Sequence, residues 1–180
     1  ASDVYKRQTE GYGSYLIPAV MMIIIFQTLL MVIGMVTGEE YSSDGIRTYA
    51  PFGHTWAAAI RIVAGKAFVY CGLYAIFSFF LLGLLPYFFS IPNIGNGLYI
   101  VLLMIPYLIA TSFLGLAASR YFTDSEAPLL MIAFFSVGLI FLSGVSYPME
   151  LMPWYWKAAH YILPAAPATV SYTHLTLPTI

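Results

Sequence analysis

The chain has 180 residues, of which 61% are hydrophobic and 8% are charged, with a formal net charge of −1. Soluble domains carry about 25% charged residues, so the composition indicates a membrane protein, and the absence of a basic patch argues against a nucleic-acid partner. Cys71 is the only cysteine, which excludes a disulfide or a cysteine-based zinc framework within the chain.

The two termini share an unusual relation at the level of DNA. Residues 1–8 (ASDVYKRQ) can be encoded by GCG TCA GAT GTG TAT AAG AGA CAG. The reverse complement of that element, translated from its third base, gives VSYTHLT, which is the sequence of residues 170–176. We therefore expect residues 1–8 and 169–180 to be translated sequencing adapter. Residues 9–168 are then one partial transmembrane domain of a larger protein.

Four long stretches contain no Asp, Glu, Lys or Arg, and they cover residues 15–36, 67–89, 98–119 and 127–149. A helix needs about 20 apolar residues to cross the hydrocarbon core, and these runs are too long and continuous for the strands of a barrel. The sequence therefore predicts an all-α, polytopic membrane protein with four transmembrane helices.

The basic residues predict an orientation. The loops over 37–66 and 120–126 lie on one side of the predicted membrane, and together they hold four basic residues against Lys157 alone on the other side. By the positive-inside rule, both loops are expected in the cytoplasm. The four basic residues are Arg47, Arg61, Lys66 and Arg120.

Residues 54–66 (HTWAAAIRIVAGK) predict a short amphipathic helix along the cytoplasmic interface. Trp56, Ile60 and Val63 fall on one helical stripe, and Arg61 and Lys66 lie off it. The alternative is that this segment is a surface anchor before the second span and has no further role.

Residues 148–164 (PMELMPWYWKAAHYILP) are aromatic-rich and bracketed by prolines. A full span is disfavoured because Pro153 and Lys157 would sit at its middle. We expect a re-entrant or interfacial segment on the external side, with an aromatic belt of no specific role as the alternative.

Sequence signatures of catalysis are missing. The chain contains no G-x-S-x-G, no H-E-x-x-H and no G-x-x-x-x-G-K-[ST]. We therefore expect no enzymatic activity, no cofactor and no metal. Since the spans also lack the ionisable residues that proton- or sodium-coupled carriers use, the energy for any transport would come from another polypeptide or a further domain.

The order of several short motifs resembles that of ABC type-2 transporter permeases, the membrane subunits of export ATP-binding-cassette systems. The most specific motif is LSG-x-S-x-P-x-E-x-MP, which contains Ser143, Gly144, Pro148, Glu150 and Pro153 as a candidate external motif. The others are SYLIPAV (14–20), GEE (38–40), GKAFVY (65–70), FLGLAASRYF (113–122) and LPAAPAT (163–169).

This resemblance implies a fold with six spans and a large external domain between the first two, so that the four spans here would be the second to the fifth. It also implies export of a substrate from the cytoplasm across the inner (plasma) membrane, with a cytoplasmic ABC ATPase and a second permease copy as partners. The candidate ATPase-coupling helix would present Trp56, Ile60, Arg61 and Lys66. The first loop, GEEYSSDGIRTYAPFG, keeps the acidic start of the family pattern, but its basic residue comes later. The alternative function is a four-helix membrane scaffold or assembly factor that transports nothing.

Overall fold

The computed structural model describes residues 2–43, 55–88, 97–122, 124–142, 153–157, 164 and 167–171. This part of the chain is almost entirely helical and has no strands, which confirms the all-α prediction. The main elements are α1 (Ser2–Ser42), α2 (Trp56–Phe79), a π-helical turn (Phe80–Leu84), α3 (Leu85–Phe88), α4 (Gly97–Ala118), a 3-10 turn (Ser119–Tyr121) and α5 (Glu126–Leu142).

Three helical segments are long and apolar enough to cross a membrane: Ala19–Ser42, Trp56–Leu84 and Leu98–Tyr121. They correspond to the first three predicted spans. The fourth predicted span, 127–149, coincides with α5 over its first part, and residues 143–149 lie outside the described residues. The count of four membrane helices therefore stays a prediction.

Helix α1 is the centre of the bundle. Met22, Phe26, Leu29 and Ile33 are fully buried, and their spacing of three or four residues places them on one face of the helix. This face and its flanks pack against α4, α5 and α2, and α2 also packs against α4. The residues that surround α1 in the core include Tyr74, Leu82, Met104, Tyr107, Leu108 and Ala168.

Contacts between the helices fix their directions. The Tyr107 hydroxyl donates a hydrogen bond to the Met22 carbonyl oxygen at 2.6 Å, and Gly115 lies against Ile33, so α4 runs parallel to α1. Lys66 pairs with Glu40 and Tyr74 lies beside Thr28, so α2 runs antiparallel to α1. Gly34 lies against Pro128 and Gly38 against Asp124, so α5 also runs opposite to α1. Consecutive long helices therefore alternate in direction, as in an up-and-down bundle.

The prediction of a separate interfacial helix over 54–66 is wrong. Helix α2 begins at Trp56, after the extended residue Thr55, and continues without a break to Phe79. Residues 57–59 are alanines, the strongest helix formers, and this stretch contains no proline. Gly65 alone costs a helix only about 1 kcal/mol relative to alanine, which is too little to end it.

A π-helical turn follows the last residue of α2. In the π-helical turn Phe80–Leu84, the N–H of Leu85 bonds to the carbonyl of Phe80, five residues earlier. Pro86 follows directly within α3 and has no N–H with which to pair the Leu82 carbonyl in α-helical register. The missing N–H donor explains why the α-helical hydrogen-bond pattern changes to a π-helical one at this point.

Candidate coupling surface

Seven charged residues of the described part between residues 19 and 142 gather at one end of the bundle. We call this the loop end: it is where α1 and α4 finish and where α2 and α5 start. Within the described residues between 19 and 142, every acidic or basic side chain belongs to it. They are Glu39, Glu40, Arg61, Lys66, Arg120, Asp124 and Glu126.

Two glycines of α1 allow close packing at the loop end. A Cβ atom added to Gly34 would lie 2.7 Å from the Cβ of Pro128, and one added to Gly38 would lie 2.7 Å from the carbonyl carbon of Asp124. Small residues allow such close backbone approach between membrane helices. The end of α1 therefore packs directly against the connection between α4 and α5 and against the first turn of α5.

An open groove of about 730 Å³ separates the last turns of α1 from the first half of α2. Lys66 Nζ and Glu40 Oε2 form an ion pair across it, with both side chains about one quarter exposed. Apart from the adjacent residues and the backbone of α2 itself, no atom lies within 4 Å of a Cβ added to Gly65, so the groove is unobstructed at its middle. Its lining consists of Val36, Glu40, Ala58, Arg61, Ile62, Gly65, Lys66, Val69 and Tyr70.

The structure divides the candidate coupling residues between two faces of α2. Arg61 and Lys66 line the groove. Trp56 and Ile60 do not line it and are 87% and 63% exposed. One helix thus presents a charged groove on one side and an uncovered aromatic and aliphatic pair on the other.

The length of α2 determines where these residues lie relative to a bilayer. The candidate span Trp56–Leu84 has 29 residues, which at 1.5 Å per residue extend about 43 Å, whereas the hydrocarbon core is about 30 Å thick. The excess is enough to carry the first turns of α2 out of the core. We therefore expect Trp56 and Arg61 to lie outside the hydrocarbon core even without a separate interfacial helix.

The candidate external motif falls mostly outside the described residues, which include none of Ser143, Gly144, Pro148 and Glu150. Pro153 is described and exposed, and its carbonyl oxygen accepts hydrogen bonds from the N–H groups of Trp156 and Lys157 at 3.1 Å each. Residues 154–157 form one helical turn.

Sequence reasoning missed Glu40 as the partner of Lys66, as well as the groove itself. The signal was present: the two residues have opposite charge and lie at the facing ends of two consecutive spans. Their separation of 26 residues concealed the contact, because no helical periodicity relates them.

The side chains of the loop end are of the kinds found at protein interfaces. Among the residues that the structure describes, no three His, Cys, Asp or Glu side chains are placed to hold a metal ion. Cys71 lies deeper, with its Sγ 3.3 Å from Ser112 Oγ between α2 and α4, as expected for a small packing residue. The loop end offers exposed charge on one face of α2 and an exposed tryptophan on another, and arginine and tryptophan are both enriched at protein interfaces.

Comparison with known proteins gives one family. A family model described as ABC-2 family transporter protein matches residues 2–179. The match includes both terminal segments that we expect to be adapter-derived, and their origin stays a prediction. Neither the curated proteins nor the solved structures contain a match to the chain. The chain therefore belongs to the ABC-2 transporter family and is an ABC type-2 permease of the membrane.

Proposed function

We propose that this permease exports a substrate from the cytoplasm and that ATP hydrolysis in a separate ABC ATPase drives the export. Family membership is the observation that carries the proposal. The sequence supports it, because it has long apolar helices for a membrane path and no nucleotide-binding loop of its own.

In this proposal the loop end faces the cytoplasm and receives the ATPase. Arg61 is the charged contact, Trp56 and Ile60 are the apolar contact, and the Glu40–Lys66 pair ties α2 to α1. A displacement of the first turns of α2 would be passed along an unbroken helix as far as Phe79. The continuous helix therefore suits coupling at least as well as the separate helix that the sequence predicted.

The remaining partners are a second permease copy, identical or not, and the lipid of the inner (plasma) membrane. Much of α2 and α4 is apolar and exposed, including Phe68, Ile76 and Leu102, so these faces need lipid or protein to cover them. We also propose that residues 143–153 act on the external side, and that residues 1–8 and 169–180 have no native role. Sequencing the source locus with a different library chemistry tests the last point.

The native locus provides the test of the main proposal. The full-length permease and the ATPase encoded beside it are co-expressed, purified through a tag on the permease and reconstituted into liposomes. We expect the ATPase to co-purify and its ATP hydrolysis to be faster with the permease than alone. A locus without an ATPase, or an ATPase that neither binds nor responds, would favour the scaffold function instead.

A further inference from the structure

A second groove lies far from the loop end, between the π-helical turn and α4. Its volume is about 430 Å³. The floor is formed by the buried side chains of Leu82, Met104 and Leu108, and exposed residues such as Phe79 and Ile105 form the rim. The complete lining is Ala75, Ser78, Phe79, Leu82, Gly83, Ile100, Val101, Met104, Ile105 and Leu108.

One polar group lies in this apolar groove. Ser78 is 3% exposed, and its Oγ has no hydrogen-bond partner among the residues that the structure describes. Hydroxyls inside membrane helices commonly bond to the carbonyl four residues earlier. Thr28 does so with Ile24 at 2.7 Å, and Thr111 does so with Tyr107 at 2.8 Å. Ser78 departs from this pattern, and an unpaired buried hydroxyl is unfavourable unless something else pairs with it.

The lining defines the chemistry of a ligand. It contains no charged residue, so a charged molecule would lose its hydration without compensation. Its volume falls in the range of about 300–1,000 Å³ that is typical of small-molecule sites, which are mostly apolar with a few placed polar groups. The exposed rim leaves the groove open at the surface of the described bundle, so that a molecule dissolved in the bilayer can enter it.

The depth of Ser78 in the membrane favours a small molecule over a phospholipid as the hydrogen-bond partner of its hydroxyl. Ser78 follows Lys66 by 12 positions in the sequence, or about 18 Å of helix, which places it near the middle of the hydrocarbon core. The polar group of a phospholipid stays at the interface and does not reach that depth. A small molecule dissolved in the membrane does.

We propose that this groove binds a neutral, lipophilic small molecule, whose apolar body fills the space beside the π-helical turn and whose hydrogen-bonding group pairs with Ser78 Oγ. The turn contributes Gly83, where an added Cβ would meet only the Phe79 ring, at 3.8 Å, so the absence of a side chain there leaves room for the ligand. Such binding does not depend on ATP, on an ATPase or on the direction of transport.

The test uses the full-length protein in lipid nanodiscs and two photoreactive probes. One is a trifluoromethyl aryl-diazirine bearing a benzyl alcohol, and the other carries a methyl group in place of the hydroxymethyl group. Labelled peptides are mapped by mass spectrometry over a series of probe concentrations. Ser78→Ala removes the hydroxyl, Ser78→Thr retains one, and Gly83→Leu fills the groove. Gly72→Leu is the matched control, because Gly72 is on the same helix with open space around it and does not line the groove.

We expect saturable labelling by the alcohol within residues 75–83 and 100–108. Ser78→Ala should raise the half-saturating concentration of the alcohol about five- to tenfold, the effect of losing one hydrogen bond, with little change for the methyl probe. Ser78→Thr should restore binding, Gly83→Leu should remove saturable labelling by both probes, and Gly72→Leu should match the unaltered protein. Labelling that rises linearly with concentration, as in bulk lipid contact, would overturn the proposal, as would equal binding of both probes to the unaltered protein.

Discussion

At the scale of single residues, the closest approach in the bundle is a backbone contact. An added Cβ at Gly38 would overlap the carbonyl oxygen of Asp124 and lie 3.0 Å from the amide nitrogen of Ser125. These are main-chain atoms that cannot rotate away, so the helix or the connection would have to move. A methyl group is therefore not a neutral change at this position.

The first prediction is that Gly38→Ala destabilises the protein. Overpacking costs about 1–3 kcal/mol, and because the contact here is with main-chain atoms, we expect a cost at the upper end of that range, above the gain of about 1 kcal/mol from replacing a helical glycine by alanine. Thermal unfolding in detergent, followed by circular dichroism, should show a lower Tm. Gly72→Ala is the control, because it gains the helix propensity without a contact and should leave Tm equal or higher. A Gly38→Ala variant as stable as the control would show that the contact with Asp124 is loose.

A second residue-scale prediction concerns Tyr107. Its buried hydroxyl bonds to the Met22 carbonyl at 2.6 Å, but that carbonyl also accepts the helical bond from the N–H four residues later. Tyr107→Phe should therefore cost only about 0.6 kcal/mol, the mean for hydrogen bonds between membrane helices. Denaturant unfolding measures the difference against Tyr121→Phe, whose side chain is exposed. A loss of several kcal/mol would mean that Tyr107 has a role beyond this bond.

At the scale of elements, the sequence predicted the helices better than their limits. Uncharged runs located the spans that the structure places at Ala19–Ser42, Trp56–Leu84 and Leu98–Tyr121. Charges did not stop the helices, however: α1 continues through Glu39 and Glu40, and α2 starts before Arg61. Charge marks where a helix leaves the hydrocarbon, whereas backbone geometry decides where it ends.

The grooves and the π-helical turn were not predictable in the same way. Pro86 could have indicated an irregular turn, but the groove beside the π-helical turn depends on how α4 packs against that turn. Likewise, neither Ser78 nor Glu40 is distinctive in sequence. Glu40 becomes informative only through its ion pair with Lys66 on another helix. Ser78 becomes informative because its Oγ has no hydrogen-bond partner among the described residues.

The third prediction is that the Glu40–Lys66 pair connects α1 and α2 with a modest energy. Because both side chains are partly exposed, the coupling should fall in the range of about 0.2–1 kcal/mol found for solvent-exposed pairs. A double-mutant cycle of Glu40→Gln and Lys66→Met, read as unfolding free energies, measures it. The exchanged pair Glu40→Lys with Lys66→Glu should recover more stability than either single reversal. Additive single effects would indicate that the two charges act independently.

At the scale of the whole molecule, charged residues of both signs are distributed unevenly along the bundle. The described charges between residues 19 and 142 share one end, so all of them face the same side of the membrane in a bundle of alternating helices. The positive-inside rule predicts that this side is the cytoplasm. The same placement would put residues 90–97 outside.

The fourth prediction tests this orientation. In a Cys71→Ser background, Ser43→Cys should resist a membrane-impermeant thiol reagent in intact cells and react after the cells are opened. Ser43 is suitable because its side chain is exposed at the end of α1. Asn96→Cys, in the connection that precedes α4, is the matched control and should react in intact cells. The reverse pattern of labelling would invert the topology and move the proposed ATPase contact to the wrong side.

The last prediction concerns the whole complex. Arg61 lies in the open groove at the loop end, and Trp56 is exposed on another face of the same helix. Reversal of an interfacial charge can cost several kcal/mol, so Arg61→Glu should lower the amount of ATPase that co-purifies with the full-length permease by at least about tenfold. Trp56→Ala keeps the charge and should give a smaller loss. Val69→Ala, a change in the same groove nearer the membrane centre, controls for altered packing and should retain the ATPase. Equal co-purification and equal stimulation of ATP hydrolysis in all three variants at matched membrane levels would leave the first turns of α2 as a surface anchor.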